Sequence, residues 1–343
     1  MSNIFVLMVR GLESVSATEL SGLAGVTVSE TAYRRVSAEC GESLTPLLGL
    51  RTVDDAYLDL GTWSGMGHTR ETLAAFQWYG TQLELESAAK TLATVRPIPE
   101  EPVFSVTASF VGRRNYSTEE IKQNVAAGIT EHYGLRYTAD DREADLNVRV
   151  FIEHENAFVG VRVGKHPLHE RAYKVVERAG SLKPSVAAAM LKLVHLESGD
   201  RLLDPCCGSG TILIEAGLSG ALAEGGDIDT EAIEAARANA QAAGLTLAIK
   251  EWDARALPLA EGSVERVVTN LPWGKQIAVD DEIKRLYGEI CEEIERVLLP
   301  GGQVAVLTAT PELLHFERLQ PMTRLEISLF GQTPTISVFG DVQ

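Results

Sequence analysis

Short apolar runs alternate with amphipathic segments along the second half of the chain. The apolar runs predict strands at residues 200–204, 222–228, 245–250, 264–269 and 303–307. The amphipathic segments predict helices at residues 212–219, 230–243 and 280–298. A last pair of strands is predicted at residues 325–330 and 335–339. Strand–helix alternation of this kind is typical of a parallel, doubly wound α/β sheet, which binds its ligands at the carboxyl ends of the strands.

The first half of the chain has a different pattern, with strands and helices typical of two small α+β units. The first unit has strands at 4–9, 25–29, 35–38 and 57–60 and helices at 14–23 and 44–50. The second unit has helices at 83–92 and 118–133 and strands at 103–110, 145–153 and 157–164. We therefore predict a ferredoxin-like domain at 1–62, a second domain at 63–165, a charged linker at 166–182 and the α/β domain at 183–343.

Composition narrows the class of protein. The chain has 343 residues, which is too long for one ordinary domain. No stretch is apolar for the length of a membrane span, and the N-terminus lacks the pattern of a secretory signal. The four cysteines do not show zinc-ligand spacing, so we expect no metal site and a reducing, cytoplasmic environment.

The first strand of the α/β domain ends in a turn with two glycines. The turn is DPCCGSGT, residues 204–211. Gly208 and Gly210 let the backbone approach a ligand closely, and the helix that follows offers free N–H groups. The spacing matches neither the dinucleotide fingerprint nor the phosphate loop. The alternative is a tight turn that binds nothing.

Carboxylates follow the next two strands. Asp227 and Asp229 end the second strand, where a carboxylate can accept both hydroxyls of a ribose. Asp253 ends the third strand, where it could accept from an adenine amine. Each acid alone would be read as an ordinary loop residue. Together they predict a nucleoside site without a phosphate clamp, and S-adenosylmethionine fits such a site, with Asp204 placed to orient its ammonium group.

The fourth strand ends in Asn270-Leu271-Pro272-Trp273. The asparagine side chain and the backbone carbonyl before the proline can both accept from one amine, and proline fixes the backbone between them. Trp273 offers a flat face on which a base can stack. The alternative is a proline turn with a packed tryptophan.

These motifs, in this order, resemble the class I S-adenosylmethionine-dependent methyltransferases of the Asn-x-Pro-aromatic type, with GDID at 226–229, WDA at 252–254 and NLPWG at 270–274. Upstream, HERAY at 169–173 and SLKPSVAAAM at 181–190 resemble the segment before the catalytic domain of THUMP-containing RNA methyltransferases. GLE at 11–13 and LRT at 50–52 resemble the ferredoxin-like domain of that group, and residues 103–164 resemble its THUMP domain. The group most similar in these motifs is the tRNA (guanine-N2)-methyltransferases.

The resemblance implies a role for each matching residue. The resemblance assigns catalysis to Asn270, Leu271, Pro272 and Trp273. It assigns cofactor binding to Pro184, Asp204, Cys206, Gly208, Gly210, Thr211, Asp227, Asp229, Asp253, Ala254 and Asn270. One departure is Asn270, since many guanine-N2 enzymes carry aspartate there. Asparagine is commoner where adenine, cytosine or glutamine amines are methylated, so the target amine stays open.

Binding to RNA must be reconciled with a net charge of −17. Residues 171–200 are nevertheless net positive, with five basic and three acidic side chains. The residues predicted to contact RNA are Arg113, Arg114, Tyr116, Lys165, His169, Arg171 and Lys174. A local basic track of this kind is enough to bind an RNA helix by its shape and phosphates. The alternative is a pair of solvated loops.

The function predicted from sequence is methyl transfer from S-adenosylmethionine to an exocyclic base amine in RNA. The expected product is N2-methylguanosine in tRNA, made by a cytoplasmic, monomeric enzyme that needs neither a metal nor a membrane. The alternatives are a methyltransferase acting on an rRNA base or on a small nucleoside-like molecule, and an RNA-binding protein that has lost catalysis.

Overall fold

The structure is a computed structural model that describes residues 1–273, 281–329 and 331–341. The chain divides into two compact units. The N-terminal unit contains Met1–Leu7 and Ala17–Leu168, and the C-terminal unit contains Met8–Ser16 and His169–Gln343.

One seven-stranded sheet forms the N-terminal unit. Its strands are β1 (Ser2–Leu7), β2 (Val26–Ala32), β3 (Arg35–Cys40), β4 (Asp55–Ser64), β5 (Phe104–Phe110), β6 (Leu146–Glu153) and β7 (Asn156–Arg162). They lie in the order β2-β3-β1-β4-β7-β6-β5, and only the β5–β6 pair is parallel. The two predicted α+β units therefore share a continuous sheet, joined where β4 pairs with β7.

The helices in this half of the chain are α1 (Glu13–Ser21), α2 (Thr72–Thr81), α3 (Leu85–Leu92) and α4 (Thr118–Tyr133). A capping box between Ser117 and Glu120 starts α4, and Gly134 in the left-handed region ends it. The helix predicted at 44–50 is instead a short 3-10 helix, Thr45–Gly49.

The sequence pattern did not predict α2, which packs against α4 through glycines. A Cβ atom on Gly128 would lie 2.0 Å from the carbonyl oxygen of Gln77, and one on Gly80 would lie 2.7 Å from that of Val125. The two helix backbones therefore approach each other closely. Tertiary packing of this kind leaves no apolar stripe to read in the sequence.

A second seven-stranded sheet forms the C-terminal unit. Its strands are β8 (Arg201–Asp204), β9 (Leu222–Asp227), β10 (Ala248–Glu251), β11 (Val264–Asn270), β12 (Leu298–Thr308), β13 (Gln320–Glu326) and β14 (Thr335–Gly340). They lie in the order β10-β9-β8-β11-β12-β14-β13. The first five strands are parallel, and β14 runs antiparallel to both of its neighbours. This confirms the predicted Rossmann-like α/β fold, and the strand order reverses between β8 and β11, where such sheets bind ligands.

The helices of this unit are α5 (Pro184–Leu193), α6 (Thr211–Leu218), α7 (Thr230–Ala242) and α8 (Asp281–Val297). The predicted strand at 325–330 differs from β13, which ends at Glu326. Phe330 lies outside the described residues. Nearly all of β13 is exposed, so this edge strand has no apolar face by which the sequence could place it.

The segment at 171–182, called the strap below, is bonded to the C-terminal unit rather than running free as a linker. The Tyr173 hydroxyl donates to Glu215 of α6 over 2.7 Å. The backbone N–H of Val176 donates to the Asn239 side chain of α7 over 2.9 Å, and the Asn239 amide donates back to the Val176 carbonyl. The domain limits themselves stay a prediction.

The segment Met8–Ser16 also belongs to the C-terminal unit. The Ser328 N–H donates to the Arg10 carbonyl over 3.1 Å. Gly11 has φ +96°, and a Cβ atom there would lie 2.1 Å from the Glu326 carbonyl oxygen. Only glycine fits this contact.

Among the described residues, no helix is both long and apolar enough to cross a membrane.

Candidate active site

A cavity of about 850 Å³ lies at the carboxyl ends of the parallel strands. The residues that follow β8, β9, β10 and β11 all line it. The strap contributes its last five residues, 178–182, to the same wall. Three separately predicted motifs, the glycine turn, the strand-end acids and the Asn270 motif, therefore meet at one site.

Nearly all the predicted cofactor and catalytic residues reach this cavity. Those that line it are Asp204, Cys206, Gly208, Thr211, Asp227, Asp229, Asp253, Ala254, Asn270, Leu271, Pro272 and Trp273. Gly274 of the last motif lies outside the described residues.

Two predicted cofactor residues do not line it. Pro184 is buried in the first turn of α5, where its missing N–H costs no helix hydrogen bond. Gly210 has φ +80°, and a Cβ atom there would lie 3.0 Å from the Cβ atom of Ala236. Its role is to let α7 pack closely against the turn.

The glycine turn is held in place by Asp227. The Gly208 N–H donates to Asp227 Oδ2 over 2.9 Å, and the Asp229 N–H donates to Oδ1 over 3.1 Å. Asp227 also lines the cavity, and its carboxylate keeps further lone pairs. The same acid can therefore fix the turn and accept from a ligand.

Asp229 and Asp253 have protein partners of their own. Asp229 caps α7 by accepting from the Glu231 N–H over 2.9 Å, and its other oxygen accepts from Arg178 over 2.5 Å. The guanidinium of Arg255 binds both oxygens of Asp253 and thereby holds the pKa of that carboxyl below its usual range. A ligand must share these two carboxylates with arginines.

Asp204 is almost fully buried at the end of β8. Burial raises the pKa of this carboxyl to about 7, although the Cys206 N–H, 3.3 Å from its Oδ1, opposes the shift. Burial also raises the pKa of the thiols of Cys206 and Cys207, so both keep their protons at neutral pH. The two cysteines are therefore poorly suited to nucleophilic catalysis.

The motif after β11 is joined by a hydrogen bond that the sequence did not predict. The indole N–H of Trp273 donates to Asn270 Oδ1 over 3.0 Å. This bond holds the N–H edge of the indole ring against the amide. A carbonyl oxygen accepts two hydrogen bonds, so Asn270 keeps one position for an incoming amine.

The side chains around the cavity fit an adenosine with an ammonium group better than a phosphate. Four polar strand ends face it, and the three arginines among its described lining residues, Arg178, Arg255 and Arg285, are each paired with a carboxylate. Ile228 was missed by the sequence argument. It lines the cavity with its side chain 68% exposed, and an apolar residue between two strand-end acids could have signalled a face for the adenine ring.

Most of the predicted RNA-binding side chains are engaged within the protein. Tyr116 is buried, and Arg114 donates to the carbonyls of Met66, Gly67 and His154. Of the three predicted residues Arg113, Arg114 and Tyr116, only Arg113 is exposed.

The basic residues near the strap are also bonded within the protein. Lys165 donates to the Ala144 carbonyl over 2.7 Å, Arg171 pairs with Glu215, and Lys174 donates to Ser181 and Leu182. His169 is half-buried. Loop cations often satisfy backbone carbonyls in this way, and sequence cannot separate that use from a phosphate contact.

Comparisons with known proteins agree with this geometry. A model described as an RMKL-like methyltransferase domain matches residues 171–327, and a THUMP domain model matches residues 81–162. The tRNA (guanine(6)-N2)-methyltransferase of Thermus thermophilus is 32% identical over 318 residues, which cover 89% of this chain and 88% of the relative. The chain belongs to the THUMP-containing class I methyltransferases. As a member of that family it takes S-adenosylmethionine as its methyl donor.

Other family members match parts of the chain. The tRNA (guanine(10)-N2)-dimethyltransferase of Methanothermobacter thermautotrophicus is 39% identical over 41% of each chain. The U6 snRNA (guanine-N(2))-methyltransferase THUMPD2 of Bos taurus is 29% identical over 60% of this chain and 40% of its own. Among solved structures, TrmN from Thermus thermophilus superposes with a TM-score of 0.79 at 27% identity, covering 100% of both chains.

Metal ions have no evident site in the described part of the chain, since no group of three or more histidine, cysteine, aspartate or glutamate side chains is placed to hold one there.

Asp204 leads to a pH prediction for the cofactor. Below pH 7 its carboxyl gains a proton and loses the negative charge predicted to orient the ammonium group. The Kd for S-adenosylmethionine should therefore rise as pH falls, by at most about tenfold for each unit below the pKa. Calorimetry across this range tests it, with Asp204→Asn as the control whose affinity should not change with pH. If the Kd of the wild-type protein were equally independent of pH, the assignment of Asp204 to the ammonium group would be contradicted.

Proposed function

We propose that the protein transfers a methyl group from S-adenosylmethionine to the N2 amine of a guanine in tRNA, forming N2-methylguanosine. The observation that carries this proposal is the placement of the Asn270 motif on the wall of the carboxylate-lined cavity. The relative that matches most of the chain is named a tRNA (guanine(6)-N2)-methyltransferase, which supports guanine in tRNA as the target.

We assign the adenosine end of the cavity to Asp227, Asp253 and Ile228, for the ribose hydroxyls, the adenine amine and the adenine face. Asp204 orients the ammonium group of the methionine end. S-adenosylmethionine supplies an activated methyl group, so the protein has mainly to bring the two reactants into line.

The amine is held by two acceptors. Asn270 Oδ1 and the Leu271 carbonyl accept its two N–H groups, while Trp273 stacks on the base. An exocyclic amine is a poor nucleophile because its lone pair is delocalised into the ring, and two acceptors favour the tetrahedral geometry that localises this pair. A neutral asparagine is no strong base, so the proton leaves to water. A paired base must first be flipped out of its helix.

A second candidate is methyl transfer to an rRNA base or to a small nucleoside-like molecule. Asn270 in place of aspartate and the net charge of −17 favour it. We place either reaction in the cytoplasm, in agreement with the four free cysteines, and propose a monomer.

The test is incubation with labelled S-adenosylmethionine and separated pools of unmodified tRNA, rRNA and free nucleosides. The proposal expects label in the tRNA pool alone. Label confined to rRNA or to nucleosides would replace it by the second candidate.

Arg113 gives a prediction for RNA binding. Its side chain is exposed, whereas Arg114 holds three backbone carbonyls, so only Arg113→Glu changes the charge without breaking these contacts. We expect weaker tRNA binding at low salt and a salt dependence reduced by about one phosphate contact, measured by filter binding. Arg136→Glu, an equal charge change at another exposed arginine of the same unit, is the control. Equal effects of the two variants would refute a specific contact at Arg113.

A further inference from the structure

Tyr287 of α8 contacts the backbone of the proposed catalytic motif, residues 270–273. Its hydroxyl lies 3.0 Å from the Pro272 carbonyl oxygen and 2.7 Å from Thr308 Oγ1. The side chain has no exposed surface and belongs to a buried apolar cluster of the C-terminal unit. Tyr287 is not a lining residue of the cavity. It therefore touches the motif but has no direct access to a ligand there.

The direction of these hydrogen bonds follows from the groups involved. A carbonyl oxygen can only accept, so the single hydroxyl proton of Tyr287 is donated to Pro272. Thr308 must then donate its own proton to the Tyr287 oxygen. Thr308 Oγ1 in turn accepts the Thr310 N–H over 3.1 Å. Burial raises the pKa of Tyr287, so the phenol stays protonated and remains a donor.

The two bonds on either side of Leu271 fix the orientation of its carbonyl. The Leu271 N–H donates to the Leu307 carbonyl of β12 over 3.1 Å, which anchors the near side. The Tyr287 hydroxyl anchors the Pro272 carbonyl on the far side. The proline ring fixes φ between them. With both ends held, the Leu271 carbonyl keeps one direction, and the peptide leading into Trp273 does so too.

We propose that Tyr287 is a positioning residue for methyl transfer, which acts by holding the Pro272 carbonyl and thereby aims the Leu271 carbonyl and the Trp273 ring at the target base. This inference rests on the proposed function, because it assumes that these two groups bind the base. Catalytic groups must be held to within a fraction of an ångström of their working geometry, so the loss of one supporting bond affects the chemical step more than binding.

The bland alternative is a tyrosine that only stabilises the core. Loss of its hydroxyl would then lower the free energy of unfolding and leave the rate of chemistry unchanged. The two interpretations differ in kcat, because only a positioning role lowers the rate of chemistry while the KM for S-adenosylmethionine stays nearly unchanged.

Tyr287→Phe tests the proposal in the full-length protein, because it keeps the ring and removes only the hydroxyl. We expect kcat and the single-turnover rate on tRNA to fall on the order of tenfold, while the KM for S-adenosylmethionine stays within about twofold. The control is Tyr133→Phe, which removes a hydroxyl that donates to the Leu83 carbonyl in the N-terminal unit. This control should leave kcat unchanged.

Thr308→Val is the second variant. It removes the donor to Tyr287 but leaves the Tyr287 bond to Pro272 possible, so kcat should fall by less than in Tyr287→Phe, and Thr308→Ser should restore it. If the wild-type protein methylates tRNA and Tyr287→Phe has the same kcat, the inference is overturned. If the wild-type protein does not methylate tRNA, the proposed function is refuted instead.

Discussion

Replacing Asn270 by alanine is expected to abolish methyl transfer while S-adenosylmethionine still binds with nearly its normal affinity. The change removes the proposed side-chain acceptor for the amine and also the partner of the Trp273 indole N–H, 3.0 Å away. Losing one preorganised hydrogen-bonding group at a reacting centre typically costs about a hundredfold to a thousandfold in rate. Rapid-quench measurement of the methylated product and calorimetry with the cofactor separate the two effects.

Asn270→Asp is the matched control, because it keeps an acceptor oxygen in the same place for both the amine and Trp273. This variant should retain far more activity than the alanine variant. If Asn270→Ala were as active as the wild-type protein, Asn270 would have no role in the mechanism.

The second large effect is expected at Asp227. Asp227→Ala removes the acceptor of the Gly208 and Asp229 N–H groups as well as the proposed partner of the ribose. We expect S-adenosylmethionine binding to weaken by about 1–3 kcal/mol, the cost of leaving such groups unpaired, which is roughly a fivefold to 150-fold rise in Kd.

Glu231→Gln is the control for this change. Glu231 is an exposed acid four residues further along the chain, and it pairs with Arg178. Removal of the Glu231 charge should barely alter the Kd for S-adenosylmethionine. If Asp227→Ala bound the cofactor as tightly as this control, the carboxyl ends of β8 and β9 would not form the adenosine site.

The cavity could be predicted from sequence because its residues follow apolar strands directly. Asp204, Asp227, Asp253 and Asn270 each come next to a strand end, and a parallel sheet brings those ends to one edge. A reader of the sequence needs only the strand positions to bring them together. The strand-end acids also predicted a nucleoside site that fits S-adenosylmethionine, and the relative that matches most of the chain supports this cofactor.

Other features depend on contacts that no local pattern encodes. Helix α2 is set by close packing at Gly80 and Gly128, which gives no amphipathic stripe. The engagement of Arg114 with three loop carbonyls and of Lys174 with the strap is decided by which backbone groups the fold leaves unpaired. The buried bond from Tyr287 to the motif joins residues 15 positions apart and could not be read from either one.

The identity of the methylated nucleoside tests the central claim most directly. Unmodified tRNA is incubated with the protein and labelled S-adenosylmethionine, digested to nucleosides and separated by chromatography with mass detection. The account predicts label in N2-methylguanosine. Label in N6-methyladenosine or another base would show that Asn270 selects a different amine, and no label in any nucleoside of tRNA would contradict the proposed substrate altogether.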